Sequence, residues 1–296
     1  TSFERLRIRL QQRTIVNMAH LGARAFDEIG GEVVQTISFV FKNIYVKNYK
    51  GIYCRLIEPM TQVGKEKMFL DKQNQDDFKK IPGNPIAYWV GIRVINVFKK
   101  SIPLMEIGKP CQGLITGDVS RFVRKWYECS REKLSIPFKN DNKWYPYNNG
   151  GEYRRWYGNN EDVVNWENNG YEIMNFKDEK GKLRSRPQNV AYYFKEGATW
   201  TAISSGTLSV RYFGEGTIFS NAGMALFGDK NTLLYLIAFL NSKVTQLYLA
   251  IYNGGLNYNQ GNIATLPIMK NKDELVIGYA KKCIELEKMD WDSFET

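Results

Sequence analysis

Histidine is nearly absent from this sequence, His20 being the only one in 296 residues. A zinc site or an imidazole-based triad would have to use that residue, and no cysteine pair has ligand spacing, so metal and triad chemistry find no support. His20 reads instead as a hydrogen-bonded strand residue. The four cysteines, Cys54, Cys111, Cys129 and Cys283, are scattered without a CxxC pair. That argues against a disulfide framework and suits a reducing, cytoplasmic compartment. Neither a GxGxxG fingerprint, nor a P-loop, nor a GxSxG elbow occurs, which removes the usual phosphate cradles and nucleophile turn. A membrane-spanning run is missing too. The best stretch, Leu233 to Ile251, contains Asn241, Ser242, Lys243 and Gln246, short of the roughly 18 apolar residues a bilayer demands. There is no initiator Met or signal peptide, and the opening TSFERLRIRL reads as the interior of a helix. The expectation is an excised piece of a longer protein.

Positive charge is what the chain does have. Lys plus Arg number 41 against 31 Asp plus Glu, a net charge of +10. That balance favours a polyanionic partner such as nucleic acid or an anionic surface, although a merely solvated basic surface would show the same count. A hydrophobic content of 43% supports a buried core in one large domain or two ordinary ones.

Along the chain, a short basic helix from Ser2 to Arg13 precedes three β-branched runs, Thr14 to Gly22, Val33 to Val46 and Gly51 to Glu58, with a turn at Gly30-Gly31. They read as the edge of a sheet. A polar helix is expected over Lys65 to Lys80, ended by the prolines and glycine of Ile81 to Trp89. The Gly-, Asn- and aromatic-rich stretch from Trp144 to Tyr171 suits irregular β structure. Thr199 to Phe213 reads as a hairpin turning at Ser205-Gly206, and Thr217 to Ser220 as a further strand. One apolar helix is expected over Leu233 to Tyr252. An amphipathic helix follows over Lys272 to Met289, with Leu275, Val276, Tyr279, Ala280, Cys283 and Leu286 on one side. No internal repeat is evident, and the mixture is α+β.

Four segments carry candidate chemistry. In GLITGDVSRFVRK, Gly113 and Gly117 permit a sharp turn, Thr116 and Ser120 are short donors, and Arg121, Arg124 and Lys125 supply charge for backbone contacts. A turn with exposed basic residues would look the same. KGKLRSRPQNVAYYFK holds Lys180, Lys182, Arg184, Arg186 and Lys195 with no acid, its arginines alternate so that a strand would present them on one side, and Gln188 and Asn189 have amides suited to adenine. The same composition fits a charged loop. Lys143 precedes YPYNNGGEYRRWYGNN, where Arg154 and Arg155 sit among Tyr153, Trp156 and Tyr157. Aromatics can brace cations against a polyanion, or simply form local core, and Glu152, Glu161 and Asp162 oppose a plain phosphate clamp. In NGGLNYNQGN, Asn257, Tyr258, Asn259 and Gln260 could reach base edges from a glycine-flanked loop, or connect two elements. A near-miss, GNPIAYW (Gly83 to Trp89), superficially resembles a base-holding Asn-Pro-Pro-Tyr loop. Ile86 and Ala87 displace its second proline and shift its aromatic, so Asn84-Pro85 reads as a boundary turn.

Together with HLGARAFDEIGGEVVQTISFVF, KWYPYNNGGEYRRWYGNNEDVVNWENNG and RSRPQNVAYYFKEGATWTAISSG, the motifs GLITGDVSRFVRKWYE, FLNSKV and GNIATLPI are informative in their order. Over nearly its full length the chain resembles the C-terminal part of bacterial adenine-specific DNA methyltransferases of the BREX PglX-type and type IIG restriction-modification systems. The resemblance implies that residues 1–65 are the last strands of a Rossmann-like methyltransferase domain. Residues 66–296 would then be a loop-rich DNA target-recognition domain, similar to those of type I specificity subunits, that ends in a helical segment. It places the methyl-donor motif and the Asn-Pro-Pro-Tyr loop upstream of Thr1. No catalytic, cofactor-binding or metal residue is expected here, and S-adenosylmethionine is expected of the parent alone. Double-stranded DNA is the implied partner, with other defence-system proteins beside it and no membrane. Two other readings compete. One is a protein-docking module using the terminal helix and Leu233 to Tyr252. The other is a nuclease, which Asp178-Glu179-Lys180 in a polar loop supports poorly.

Overall fold

The computed structural model describes residues 3–22, 25, 35–57, 72–204, 206–252, 257–269 and 274–295. They fall into two compact units, Thr1–Ser101 and Ile102–Thr296, with the mixed helices and small sheets of an α+β fold.

In the first unit, helix α1 (Glu4–Gln11) leads into β1 (Thr14–Gly22), the longest strand among the described residues. β1 runs antiparallel to β2 (Thr36–Lys42) and parallel to β3 (Lys50–Arg55), and β4 (Lys72–Asn74) completes the order β2-β1-β3-β4. The expected first and third strands are thus present. Val33, Val34 and the Gly30-Gly31 turn lie outside the described residues. Ile15, Met18, Tyr53, Phe78 and Tyr88 form the core. Tyr53 stacks on Tyr88 with ring centroids 5.4 Å apart, and burial raises its phenol pKa.

Of the polar helix expected over Lys65 to Lys80, residues 65–71 lie outside the described set, and the rest is not α-helix but β4 followed by a 3-10 turn, Gln75–Lys80. Buried Gln75 is the reason. Its Oε1 accepts from the Ile15 amide at 2.8 Å and its Nε2 donates to the Arg13 carbonyl at 2.9 Å, a geometry that ties the segment to the start of β1. Asn84 does form the expected turn, in the left-handed region at φ 48, and its carbonyl accepts from Gln11 Nε2 at 3.0 Å. Helix α2 (Ile92–Lys100) packs with the 3-10 turn. The two compact units part after Ser101.

Among the described residues the second unit holds a two-stranded antiparallel pairing of β5 (Ile102–Pro103) with β14 (Pro267–Ile268) and two further four-stranded sheets. One has the order β11-β10-β13-β6, from Val210–Phe213, Gly197–Thr201, Gly223–Phe227 and Lys109–Cys111. The other has the order β12-β8-β9-β7, from Ile218–Phe219, Trp144–Asn148, Asp162–Asn165 and Val123–Lys125. A common core that includes Phe122, Tyr147, Trp166, Tyr193, Phe219 and Phe227 draws on both. The predicted hairpin is present as β10 and β11, with Trp200 opposite Val210. Its connection is longer than a tight turn. After β10 the chain bonds elsewhere, Ala202 accepting from the Tyr258 amide and Trp200 Nε1 donating to the Tyr258 carbonyl at 2.7 Å. Ser205 lies outside the described residues.

The single helix expected over Leu233 to Tyr252 is two. Helix α3 (Lys230–Leu240) and helix α4 (Lys243–Tyr252) meet at 73°. The break follows from buried Asn241, whose Oδ1 accepts from the Val210 amide and whose Nδ2 donates to the Val210 carbonyl, each at 2.9 Å. An amide committed to the end of β11 fixes the chain direction there, and Thr245 Oγ1 takes up the freed Phe239 carbonyl at 2.6 Å. No single helix among the described residues is long and apolar enough to cross a membrane. Helix α5 (Glu274–Glu295) runs beyond the expected Met289 and packs on α3. Ala280 and Ile284 supply its buried positions, whereas Leu275, Tyr279 and Leu286 of the expected apolar side are exposed. An 18-residue periodicity alone does not say which apolar residues find a partner.

Candidate nucleic-acid interface

Two of the four candidate segments are brought side by side. Gly113 and Gly117 make this possible. A Cβ at Gly113 would lie 2.0 Å from the Phe219 carbonyl oxygen, and Gly117, at φ +77, would place one 2.7 Å from the Arg184 backbone. Between them, Ile115 and Arg186 exchange both backbone hydrogen bonds, at 3.1 and 2.8 Å. The chain reaches Arg186 through a tight hairpin in which Asp178 Oδ1 accepts from the amides of Lys180 and Lys182. The Arg184 amide donates to the Phe176 carbonyl at 2.9 Å. Ser185 is buried, while Lys182, Arg184 and Arg186 are exposed. From Arg184 to Arg186 this is the alternation the sequence predicts, whereas Leu183, between Lys182 and Arg184, is exposed as well.

Arg121 joins the same edge. Its guanidinium lies 4.9 Å from the Phe176 ring centroid and that of Arg184 5.4 Å from it. Arg121 also donates twice to Glu172 Oε1, at 3.0 and 2.8 Å. Asp118 caps the following turn, accepting from the Ser120 hydroxyl and the Arg121 amide, and those bonds hold its carboxyl below the ordinary carboxylate range. Arg124 donates to the Val123 carbonyl at 2.7 Å and lies over Trp144. Lys125 is neutralised by Glu161 at 2.7 Å and Asp162 at 3.0 Å, the first contact doing most to raise its pKa. Lys143 meets Glu167 at 3.3 Å.

Several expected contacts are corrected by their surroundings. Thr116 is buried, so its hydroxyl is not a surface donor. Gln188 Nε2 donates to the Gly113 carbonyl at 3.1 Å and Asn189 Nδ2 to the Gln112 carbonyl at 2.8 Å, so these amides hold the edge together. Ser120 is spent on Asp118. Asn259 caps the short helix Gln260–Ala264, and Gln260 Nε2 donates to the Pro110 carbonyl at 2.8 Å. Tyr258 donates its hydroxyl to the Gly206 carbonyl at 2.8 Å, and Asn257, bridged to Ile203, remains exposed.

The loop 149–160 also departs from expectation. Arg154 meets Asp290 at 2.5 Å and Glu287 at 3.6 Å, stands over Trp291 at 4.9 Å, and donates to the Tyr157 carbonyl. It fastens the loop to α5. Arg155 lies over Tyr153, with a buried Nε that has no hydrogen-bond partner among the described residues. Beneath the loop is Arg211, 1% exposed, donating to the Arg154 and Gly150 carbonyls at 3.3 Å. No carboxylate pairs with it among the described residues, and burial depresses its pKa to about 10. In the sequence Arg211 is one residue of the run Thr199 to Phe213 that reads as a hairpin. Neither it nor the acids Glu172, Glu287 and Asp290 carries a local signal of its role.

No group of three or more His, Cys, Asp or Glu among the described residues could hold a metal ion. Nor do the residues beside Asn84 suit S-adenosylmethionine. The groove there is lined by Gln11, Gln12, Lys79, Asn84, Tyr45 and Ile8, with no carboxylate for a ribose diol or a sulfonium cation. Tyr88, four residues beyond Asn84, is buried against Tyr53 rather than presented to a base.

No known family profile matches the chain. It is 38% identical over 314 residues to the adenine-specific methyltransferase PglX of Lacticaseibacillus casei (strain Zhang), a match covering 100% of this chain and 26% of that protein. It is likewise 38% identical over 307 residues to the adenine-specific methyltransferase BrxX of Escherichia coli O9:H4 (strain HS), covering 100% of this chain and 24% of that protein. The crystal structure of the type IIG restriction endonuclease BpuSI aligns with 94% of this chain and 40% of its own at a TM-score of 0.38 and 12% identity, too distant to bear on the fold. Along its entire length the chain matches the PglX and BrxX adenine-specific methyltransferases, spanning about a quarter of their length.

Proposed function

We propose that this chain reads duplex DNA for an adenine-specific methyltransferase, the larger unit supplying the contacts and the smaller continuing the sheet of the methyltransferase domain. The observation that carries this reading is the edge formed by Ile115 and Arg186. Backbone pairing holds Arg184 and Arg186 in register on the exposed side of a buried Ser185, with Arg121 and Lys182 beside them. Two exposed guanidinium groups at alternating strand positions can fork onto successive phosphates or onto guanine edges. The methyl transfer itself, with S-adenosylmethionine as donor, belongs to other parts of the longer protein. So do contacts to further proteins of a phage-defence system, in the cytoplasm where both DNA and partners reside.

The test is selection of bound duplexes from a randomised pool at two salt concentrations. Enrichment of one short asymmetric, adenine-containing motif is expected, with affinity falling steeply as salt rises because phosphate contacts release counterions. A second reading, docking of a protein, draws on the exposed Tyr279, Leu286 and Met289 of α5. Absence of DNA binding at low salt would favour it.

A further inference from the structure

One segment of the larger unit departs from ordinary backbone geometry. Asn168, Asn169 and Gly170 follow one another in the left-handed helical region, at φ 51, 57 and 76. Residues with a Cβ visit that region as isolated positions, as Asn189 does here, and asparagine bears it better than most. Two asparagines in succession, closed by a glycine, form a left-handed turn in which the Gly170 amide donates to the Trp166 carbonyl at 3.1 Å. The core holds this turn in place. A Cβ at Gly170 would lie 2.8 Å from the ring of buried Trp166, and Asn165 Oδ1 accepts from the Glu167 amide at 3.1 Å. Asn168 and Asn169 are exposed, and neither carboxamide has a hydrogen-bond partner among the described residues. A strained turn whose polar side chains bond to nothing within the fold holds those groups ready for a partner.

The turn is joined to the basic edge. Glu172, three residues beyond Asn169, accepts from Arg121 at Oε1 and, at Oε2, from the Nδ2 of buried Asn165 at 3.0 Å. Glu167, on the other flank, meets Lys143 at 3.3 Å. Glu167 and Glu172 are the only acids from Asn165 to Lys177, and each is matched by a cation, so neither stands unpaired against a polyanion.

We propose that Asn168 and Asn169 are specificity-determining residues that read base edges in the major groove, with adenine as the base they prefer. The inference rests on the proposed reading of duplex DNA and names the side chains that perform it. A carboxamide donates through its NH₂ and accepts through its oxygen at one planar end, the pattern complementary to N7 and the exocyclic amine of adenine. Guanine presents two acceptors there and leaves the amide oxygen unmatched. Gln188, Asn189 and Gln260 have the same chemistry but are spent on carbonyls. A turn already fixed against Trp166 loses little freedom on binding. Arg184 and Arg186 then position the duplex, and the two carboxamides specify its sequence.

The test repeats the selection of bound duplexes from a randomised pool with the chain and with Asn168→Gly, Asn169→Gly, Asn168→Asp and Asn169→Asp, thermal unfolding being followed alongside. Glycine keeps the left-handed backbone and removes the amide, whereas aspartate keeps the shape and replaces the donor with an acceptor suited to the amine of cytosine. Each glycine variant should lose the preference for one adenine of the motif and bind the selected duplex ~10-fold more weakly, the value of one bidentate base contact. The matching aspartate variant should select cytosine in place of that adenine, a change of base choice that a merely structural turn would not produce. Where a glycine variant fails to fold, the aspartate variant decides. A folded variant that keeps the motif removes its residue from the reading, and if all of them keep it the inference is overturned while the reading of DNA stands. A chain that binds no duplex, or binds without enriching any motif, overturns both.

Discussion

The hairpin 176–189 and the loop 149–160 each carry two arginines and differ in fate. Both are candidates for contact with a polyanion. In the hairpin, Arg184 and Arg186 flank a buried serine and stay exposed because the backbone is already satisfied by Ile115 and Phe176. In the loop, Arg154 is taken by Asp290, Glu287 and Trp291, and Arg211 is sealed beneath it. The difference lies in the neighbours. An arginine is available to a partner only when the fold has not already supplied its acids, and those acids can come from anywhere in the chain.

The comparison can be broken or sharpened by substitution. The largest effect is expected at Gly113, where Gly113→Ala would press a methyl group onto the Phe219 carbonyl and cost about 3 kcal/mol, read from urea unfolding. The hairpin's docking edge would loosen with it. Arg211→Met should lower stability by about 2 kcal/mol, because relief of a buried charge only partly offsets two carbonyls left without donors. A smaller loss would mean that the loop does not depend on its buried cation. The double substitution Arg184→Ala with Arg186→Ala should weaken duplex binding by ~10-fold at low salt and flatten the salt dependence by about 2 in log-log slope, with unfolding unchanged. Arg154→Ala should do the reverse, costing about 1 kcal/mol of stability, discounted for its partly exposed acids, and leaving duplex affinity in place. Loss of DNA binding with an intact fold in that variant would erase the distinction between the two segments.

The smallest effect near neutrality is the pH dependence. Burial raises the pKa of Tyr147, Tyr193 and Tyr212 above the ordinary phenol value, so the unfolded chain loses those protons first. Their contribution is fully present below about pH 10, the unfolded value, and is lost as pH rises beyond it. Arg211, depressed to about 10, works in the opposite direction. Tyr53, Tyr248, Tyr252 and Tyr258 are raised in the same way, so the phenols outweigh the one arginine, the thermal midpoint should fall between pH 9 and 11, and a flat profile would contradict the burial of these phenols.

The alternation of Arg184, Ser185 and Arg186 was legible because a strand has a period of two and the chain's own residues reveal it. The glycines at 113 and 117 were legible for a similar reason, since a sharp turn announces its need for them. The first strand and the β10–β11 pairing followed from β-branched runs. The break at Asn241 was not readable, because an amide inside an apolar helical pattern does not disclose that Val210 will claim it. Nor could the exposed side of α5 be foreseen, because periodicity locates an apolar stripe without naming what covers it. The amides of Gln188, Asn189 and Gln260 were chemically able to read bases, and are spent on carbonyls that only the folded chain brings near.

The contact between Arg154 and Asp290 joins residues 136 positions apart. During synthesis the arginine leaves the ribosome long before its acid. At roughly 5–20 residues per second, the interval is roughly 7–27 seconds. Over that time the loop has its glycines and, once residue 211 is made, its buried Arg211 in reach but not its clasp, so its final shape waits for Asp290. Slowing translation between these positions would lengthen the period in which the loop is open to proteases and chaperones, while the hairpin at Arg184 and Arg186, whose partners all precede residue 190 apart from Phe219, would be finished early.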